Sequence, residues 1–298
     1  MGSSSRYRLL GAAVLAALAT ALLFAGSASA NLLTPESGGS QNADDIASLY
    51  KLVLYIAIVV FLIVEGTLIY SLVRYRRKRN PVAQQIRGNH RLELSWTIAA
   101  TLIVVAISVV TFIKLGDIRN PPNSDAAALA VTSKGVQAGD VRRRLPPDGR
   151  SLNICVNGQQ YIWRYTYAPD CKKATQNVGD SVFSYEEMVV PVGATVTLDI
   201  NAQDVAHSWW IPELGGKFDA VPGSTNYTSF KIPADKVNTV FKGQCAELCG
   251  RNHANMTARV RALSVADFQR WFAQQKADIA AANQAAIAGR KQFQGDTQ

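Results

Sequence analysis

Hydrophobic positions fall into two regimes that meet near residue 116. Before that point lie three long apolar stretches, and after it polar and apolar residues alternate as in a water-soluble β-rich domain. The first stretch, Leu9 to Phe24, follows Arg6 and Arg8 and ends in small residues with the A-x-A pattern Ala28-Ser29-Ala30. That arrangement predicts a signal peptide over residues 1–30. A third transmembrane helix is the alternative, but the apolar run falls short of the roughly 20 residues that spanning requires. The second stretch, Tyr50 to Val73, and the third, Trp96 to Leu115, reach that length and predict a transmembrane hairpin within residues 31–116.

Beyond the hairpin, residues 117–150 are rich in Ala, Asp, Pro, Gly and Arg without periodicity, which predicts a linker or surface insertion. Ser151 to Tyr167, Glu187 to Ile200 and Tyr227 to Ile232 carry β-branched and aromatic residues between Pro, Gly and Asn turn signals. They predict strands of a small sandwich or barrel across residues 151–263. From residue 264 to 298 the pattern turns helical, with Phe268, Trp271 and Phe272 on one face and a polar tail that should fray past Gln284.

Charge orients the hairpin. Arg74, Arg76, Arg77, Lys78, Arg79, Arg87 and Arg91 lie between the two apolar stretches, and so basic a short loop stays cytoplasmic. Everything after Leu115 is then extracytoplasmic, the same topology a cleaved leader demands, in the plasma membrane of a bacterial-type cell. Most of the net charge of +9 arises in this loop, so it reports a lipid-bilayer partner and not nucleic acid. A second basic spot, Arg142-Arg143-Arg144, reads as part of a solvated linker.

The chemistry concentrates in Gly243-Gln-Cys245-Ala-Glu247-Leu-Cys249-Gly-Arg-Asn-His253-Ala-Asn-Met256. Cys249, His253 and Met256 have the order of a blue-copper loop, in which thiolate, imidazole and a weak thioether suit copper. A second imidazole is needed, and His207 in Asp204-Val-Ala-His207-Ser-Trp-Trp supplies it; the chain has three histidines, and His90 lies beside the membrane. Cys245 turns the expectation from one copper to two, because two thiolates can bridge a metal pair. Zinc held by two Cys and two His is an alternative that leaves Met256 as a core residue. A Cys245–Cys249 disulfide would suit an oxidising compartment but leaves the other donors at ligand spacing by accident. Softness and spacing favour copper.

The loop Cys245 to Met256, the segment Asp204 to Trp209 and Gly216-Lys-Phe-Asp-Ala-Val-Pro222 together resemble the copper A domain of cytochrome c oxidase subunit II. The resemblance spans about residues 45 to 275, hairpin included. It implies a helical membrane hairpin followed by an all-β cupredoxin-like barrel. It also implies that Cys245 and Cys249 bridge two copper ions, that His207 and Met256 complete one, and that His253 and the backbone carbonyl of Glu247 complete the other. The Glu247 side chain would bind magnesium at the interface with subunit I. Glu93 falls where the family places a carboxylate at the mouth of a proton channel in subunit I; an interfacial anchor paired with Arg91 is the alternative. Where the family has an exposed tryptophan to receive electrons, this sequence has Tyr161, with Trp163 two residues on; ordinary core packing is the competing reading of Trp163.

The implied activity is uptake of electrons from cytochrome c at the copper pair and delivery to haem in subunit I for oxygen reduction and proton translocation. The chain would be an enzyme only as part of that complex with the other oxidase subunits, with no catalytic residue of its own. The soluble region is mildly basic, which brings in an acidic or membrane-tethered cytochrome donor as an alternative to a basic soluble cytochrome c. No Cys-x-x-Cys-His occurs, so no c-type haem is expected on the chain. Cys155 and Cys171 depart from the family pattern; the compartment favours a disulfide between them over separate buried thiols. A copper-free structural subunit of a quinol oxidase would have no reason to keep five ligand side chains. A mononuclear blue-copper carrier would need neither the hairpin nor the second cysteine, and nitrous-oxide reductase would need a large further domain.

Overall fold

Helices α1, Gln41–Arg74, and α2, His90–Arg119, form the hairpin. The computed structural model describes residues 33–82, 85, 87–135, 142–172 and 181–295; the expected leader over residues 1–30 lies outside them. At a rise of roughly 1.5 Å per residue the helices reach about 51 and 45 Å, more than the roughly 30 Å hydrocarbon layer. No residue of their most apolar windows is buried, so the chain itself does not shield them from water. Ser95, Thr97, Thr101, Ser108 and Thr111 each donate their hydroxyl to the carbonyl four residues earlier, which satisfies these polar groups inside the helix. Both N-termini are capped: Ser40 Oγ accepts from Ala43 N–H at 3.2 Å and Asn89 Oδ1 from Leu92 N–H at 3.2 Å.

The hairpin is fastened to the β-domain at its outer end. Ser40 Oγ donates to Leu214 O at 2.8 Å, Asn42 Nδ2 to Ser229 O at 2.6 Å, and Lys114 faces Asp45 at 3.4 Å.

The β-domain is a sandwich of two sheets. One comprises β1 (Ser133–Lys134), β2 (Arg150–Gln159), β3 (Ile162–Tyr167), β4 (Val182–Tyr185), β6 (Thr195–Ala202) and β9 (Asn226–Lys231), in the order β4-β3-β2-β6-β9 with β1 on β2. The other comprises β5 (Glu187–Pro191), β7 (His207–Trp210), β8 (Phe218–Ala220), β10 (Val240–Cys245) and β11 (Thr257–Leu263), in the order β5-β11-β10-β7-β8. Alternation along β6 turns Val196, Leu198 and Ile200 to the inter-sheet core, where they meet Trp163, Tyr165 and Phe241. Each buried aromatic removes roughly 150–250 Å² from water, worth on the order of 4–6 kcal/mol at about 25 cal/mol per Å². Two tyrosines bond across the sheets: Tyr165 Oη accepts from Trp209 Nε1 at 3.2 Å, and Tyr167 Oη both donates to Val189 O and accepts from its N–H.

The strand segments expected from periodicity are subdivided. Ser151 to Tyr167 is a hairpin of β2 and β3 turning at Gln160 and Tyr161, and Glu187 to Ile200 is β5 and β6 separated at Gly193, whose φ of +75° suits glycine. Within 117–150, expected as a linker or surface insertion, the described residues pack on the sandwich. Ala126–Val131 forms a 3-10 helix with Ala128 fully buried, and β1 pairs with β2. The segment covers the outer face of β6: Thr195 Oγ1 donates to Pro122 O at 2.6 Å, and Arg143, only 4% exposed, lies 3.4 Å from Asp199. Pattern reading missed this because β6 is buried on both faces, so its outward Thr195, Thr197 and Asp199 need polar partners rather than water. Helix α3, Val265–Gly295, packs Phe268, Trp271 and Phe272 around Tyr167 at 5.3–6.3 Å between ring centroids. It continues past Gln284, where fraying was expected; the alanine-rich run Ala280 to Ala288 contains neither Gly nor Pro and is a strong helix former.

Candidate metal centre

Three segments converge at one end of the sandwich. Strand β7 begins at His207, β10 ends at Cys245, and their antiparallel pairing sets Cys245 opposite Trp209. The loop from Ala246 to Met256 is closed at its base by Cys245 N–H donating to Met256 O at 2.9 Å, and tied to β7 by Ala246 N–H donating to Ser208 O at 2.9 Å. Gly250 turns the loop at φ +131°, and a Cβ there would lie 2.6 Å from Tyr161 Oη.

This framework brings the expected donors together. Cys245 Sγ and Cys249 Sγ are 3.9 Å apart. His207 Nδ1 lies 3.8 Å from Cys245 Sγ and His253 Nδ1 3.5 Å from Cys249 Sγ, so each sulfur has one imidazole nitrogen beside it. Met256 Sδ is 3.9 Å from Cys249 Sγ, and the Glu247 carbonyl accepts from Cys245 Sγ at 3.3 Å. His207, Cys245, Cys249 and Met256 are buried, His253 is half-buried, and Glu247 and Leu248 are exposed at the loop's outer side.

The donors fit a bridged metal pair. A thiolate binds a borderline-soft metal at roughly 2.3 Å, so an ion can reach both sulfurs across 3.9 Å from either side of the line between them. A disulfide needs about 2.05 Å between sulfurs, and both cysteines are free thiols here. Burial, and then the neighbouring Cys245, pushes the Cys249 thiol up to about 11. In the metal-free state it is therefore protonated at neutral pH, and a bound cation is what would hold it as thiolate.

Two supporting residues had no role in the sequence reading. Asp204 Oδ1 lies 2.9 Å from His207 Nε2 and accepts from Val205 N–H at 2.7 Å, while Oδ2 accepts from Gln160 N–H at 2.7 Å. Partial burial raises its carboxyl pKa, but the bonds from His207, Gln160 and Val205 outweigh this and hold it below the usual carboxylate range. Gln160 Nε2 in turn donates to Cys249 O at 2.6 Å, pinning the metal loop to the β2–β3 turn. Asp204 was legible as a carboxylate three residues from His207; nothing in the local pattern marked Gln160.

Residues 152–263 match the family model for the cytochrome c oxidase subunit II periplasmic domain, and residues 28–113 match its transmembrane domain. The cytochrome c oxidase subunit 2 of Thermostichus vulcanus is 32% identical over 279 residues, 82% of this chain and 79% of that one. The chain belongs to the cytochrome c oxidase subunit II family. The subunit 2 of Alkalihalophilus pseudofirmus is also 32% identical, over 74% of this chain, and the chain spans 55% of that relative's length. The solved periplasmic domain of subunit II of the Bradyrhizobium japonicum cytochrome oxidase is 32% identical over 43% of this chain and 96% of its own, with a TM-score of 0.37.

The other residues singled out in this subunit II chain lie at varying distances from the donors. Trp163 is fully buried and meets His207 edge-on, ring centroids 5.9 Å apart. Tyr161 is half-buried beside Gly250 of the metal loop. Glu93 sits at the start of α2, where its Oε1 accepts from Asn89 N–H at 3.3 Å; among the described residues it does not pair with Arg91. Cys155 and Cys171 are joined by a disulfide between β2 and the segment after β3.

Proposed function

We propose that this chain is the electron-accepting subunit of a membrane cytochrome c oxidase and holds a dinuclear copper centre. The observation that carries this is the pair of free thiols 3.9 Å apart, each with a histidine Nδ1 within 3.8 Å. Cys245 and Cys249 would bridge the ions, His207 and Met256 would complete one, and His253 with the Glu247 carbonyl would complete the other. When bound, such a pair takes up and releases one electron at a time, with the charge spread over both ions.

The chain's own contribution is to hold the donors still. His207 is fully buried, and Asp204 fixes its ring by accepting from Nε2–H, which leaves Nδ1 as the free donor. Gln160 holds the loop carbonyl at Cys249, so both halves of the site rest on the same sandwich. A donor set that moves little between oxidation states keeps the reorganisation cost of outer-sphere transfer low. Electrons would arrive from a cytochrome c, or from a membrane-tethered cytochrome, through Tyr161 at the surface of the loop or through Trp163 against His207, and leave to haem in subunit I. Exposed Glu247 would place its carboxylate on magnesium at the subunit I interface, and Glu93 would stand at the mouth of that partner's proton channel.

The deciding experiment is copper loading of the full chain in detergent, read by metal analysis and electron paramagnetic resonance. A seven-line hyperfine pattern, as two equivalent copper nuclei sharing one unpaired electron require, supports the proposal. A four-line pattern from a single copper would reassign the chain as a mononuclear carrier, and a folded chain that takes up no copper would point to the structural subunit of a quinol oxidase.

A further inference from the structure

A cavity of about 420 Å³ lies where the outer end of the hairpin meets the sandwich, and it shares no residue with the metal centre. Its membrane-side wall includes Ile46 near the start of α1 and Ile118 and Arg119 at the end of α2. The cavity therefore opens at the level where the helices leave the bilayer. Its other walls come from Arg142, Arg143 and Arg144 and from the outer face of β6 and β9.

The charge in this cavity is lopsided. Among the described residues four arginines line it, against the single carboxylate of Asp199. That carboxylate is already engaged with Arg143, at 3.4 Å, with both side chains less than a tenth exposed. Arg143 also donates to Asn153 Oδ1 at 2.7 Å, so this inner pair is neutral and fixed. Arg119, Arg142 and Arg144 are exposed and stand around the rest of the opening. Arg144 Nη1 donates to the neutral Asn120 Oδ1 at 3.0 Å, next to Arg119, and the Arg142 guanidinium lies 5.8 Å from the Tyr227 ring centroid. Among the described residues, neither Arg119 nor Arg144 pairs with a carboxylate. The guanidinium groups of Arg119 and Arg144, at one opening and without acidic partners among the described residues, repel one another, and an anion with several acceptor oxygens relieves this.

We propose that Arg119 and Arg144, with Arg142 beside them, form a binding site for a phosphate group presented at the outer face of the membrane. Phosphate suits the site better than a single carboxylate, because its oxygens can accept from more than one guanidinium fork at once. The position at the helix ends is the height of phospholipid headgroups, and the exposed apolar flanks of α1 and α2 below it would accept acyl chains. The site makes no use of copper, so it stands or falls separately from the electron-transfer reading.

The test uses the full chain in nanodiscs of phosphatidylcholine with or without phosphatidylglycerol, with retained lipid measured by native mass spectrometry and inorganic phosphate added as a separate probe. Arg119→Gln/Arg144→Gln should weaken phosphatidylglycerol retention roughly 30-fold, taking two arginines at the strength typical of basic residues near an anionic surface. Arg290→Gln, an exposed arginine on α3, should leave it unchanged. Should inorganic phosphate bind in phosphatidylcholine discs with the same dependence on Arg119 and Arg144, and phosphatidylglycerol show none, the site stands with a free phosphate as its ligand. Retention equal in wild type and double variant, for lipid and phosphate alike, overturns the proposal, and so does an equal loss in Arg290→Gln. Circular dichroism reports that each variant is folded; if the double variant is not, Arg119→Gln alone gives the same reading.

Discussion

Asp204 offers the sharpest test of how the metal centre is held. Its two oxygens accept three N–H bonds, from His207 Nε2 at 2.9 Å and from Val205 and Gln160 N–H at 2.7 Å each. Asp204→Asn keeps the shape but leaves one accepting oxygen, so the bond to His207 and the bond to Gln160 cannot both be preserved. Asp204→Ala loses all of them and frees the imidazole to turn. Carboxylates that orient a metal-bound histidine are typically worth about 10- to 100-fold in metal affinity. We therefore expect copper affinity to fall about 10-fold in Asp204→Asn and about 100-fold in Asp204→Ala, the latter close to ~3 kcal/mol. The assay is copper titration of the full chain against a competing chelator, with circular dichroism to show that the sandwich is intact. Affinities within about threefold of wild type in both variants would refute the reasoning, because His207 would then be positioned by burial alone.

Other expectations follow from the same contacts. Met256→Leu conserves buried volume but removes the thioether 3.9 Å from Cys249. Copper should stay bound and its reduction potential rise, by about 59 mV for each tenfold preference for the oxidised ion that is lost; an unchanged potential in voltammetry would show that Met256 is packing only. Tyr161→Ala should slow reduction of the loaded centre by a cytochrome donor in stopped-flow while leaving copper content and spectrum intact, and unaltered rates would move electron arrival elsewhere. Burial raises the Asp199 carboxyl to about 6, with Arg143 opposing. The folded chain thus binds this proton more tightly than the unfolded chain does. The associated stability is full below the ordinary carboxylate range and is lost as pH rises through about 6, on the order of 3 kcal/mol. Asp199→Asn should flatten the fall in thermal unfolding midpoint between about pH 4 and 6, roughly the span of the two pKa values; a wild-type midpoint already flat there would contradict the assignment.

The cluster of candidate donors was legible because Cys, His and Met are rare in this chain and because Cys245, Cys249, His253 and Met256 share one loop. The membrane hairpin was legible because length and apolar composition alone define it. What escaped were features that depend on pairing at a distance. Gln160 lies 89 residues from the Cys249 carbonyl it holds, and no local pattern carries that contact. Arg143 sits in a basic triplet that reads as solvated, yet β6 is buried on both faces and Asp199 on its outer side requires a cation. Asp204 was visible beside His207, but whether its carboxylate turned toward the ring or toward solvent depended on the bend between β6 and β7.

Strand β6 links these missed features into one structural argument. Its inward residues Val196, Leu198 and Ile200 lock it into the inter-sheet core. Its outward residues are held from the other side: Thr195 by Pro122, Asp199 by Arg143, and Thr197 by Asn153 of β2, which Arg143 also grips. The strand ends at Ala202, and two residues later Asp204 receives both His207 and Gln160. The insertion that covers β6 therefore holds the strand that leads into Asp204, although none of its described residues touches a candidate donor. A strand packed on one face only would leave Asp204 on a looser lever, and His207 with it. Burying β6 on both faces requires polar partners for its outward residues, which explains why a segment with so little periodicity of its own is packed so closely against it.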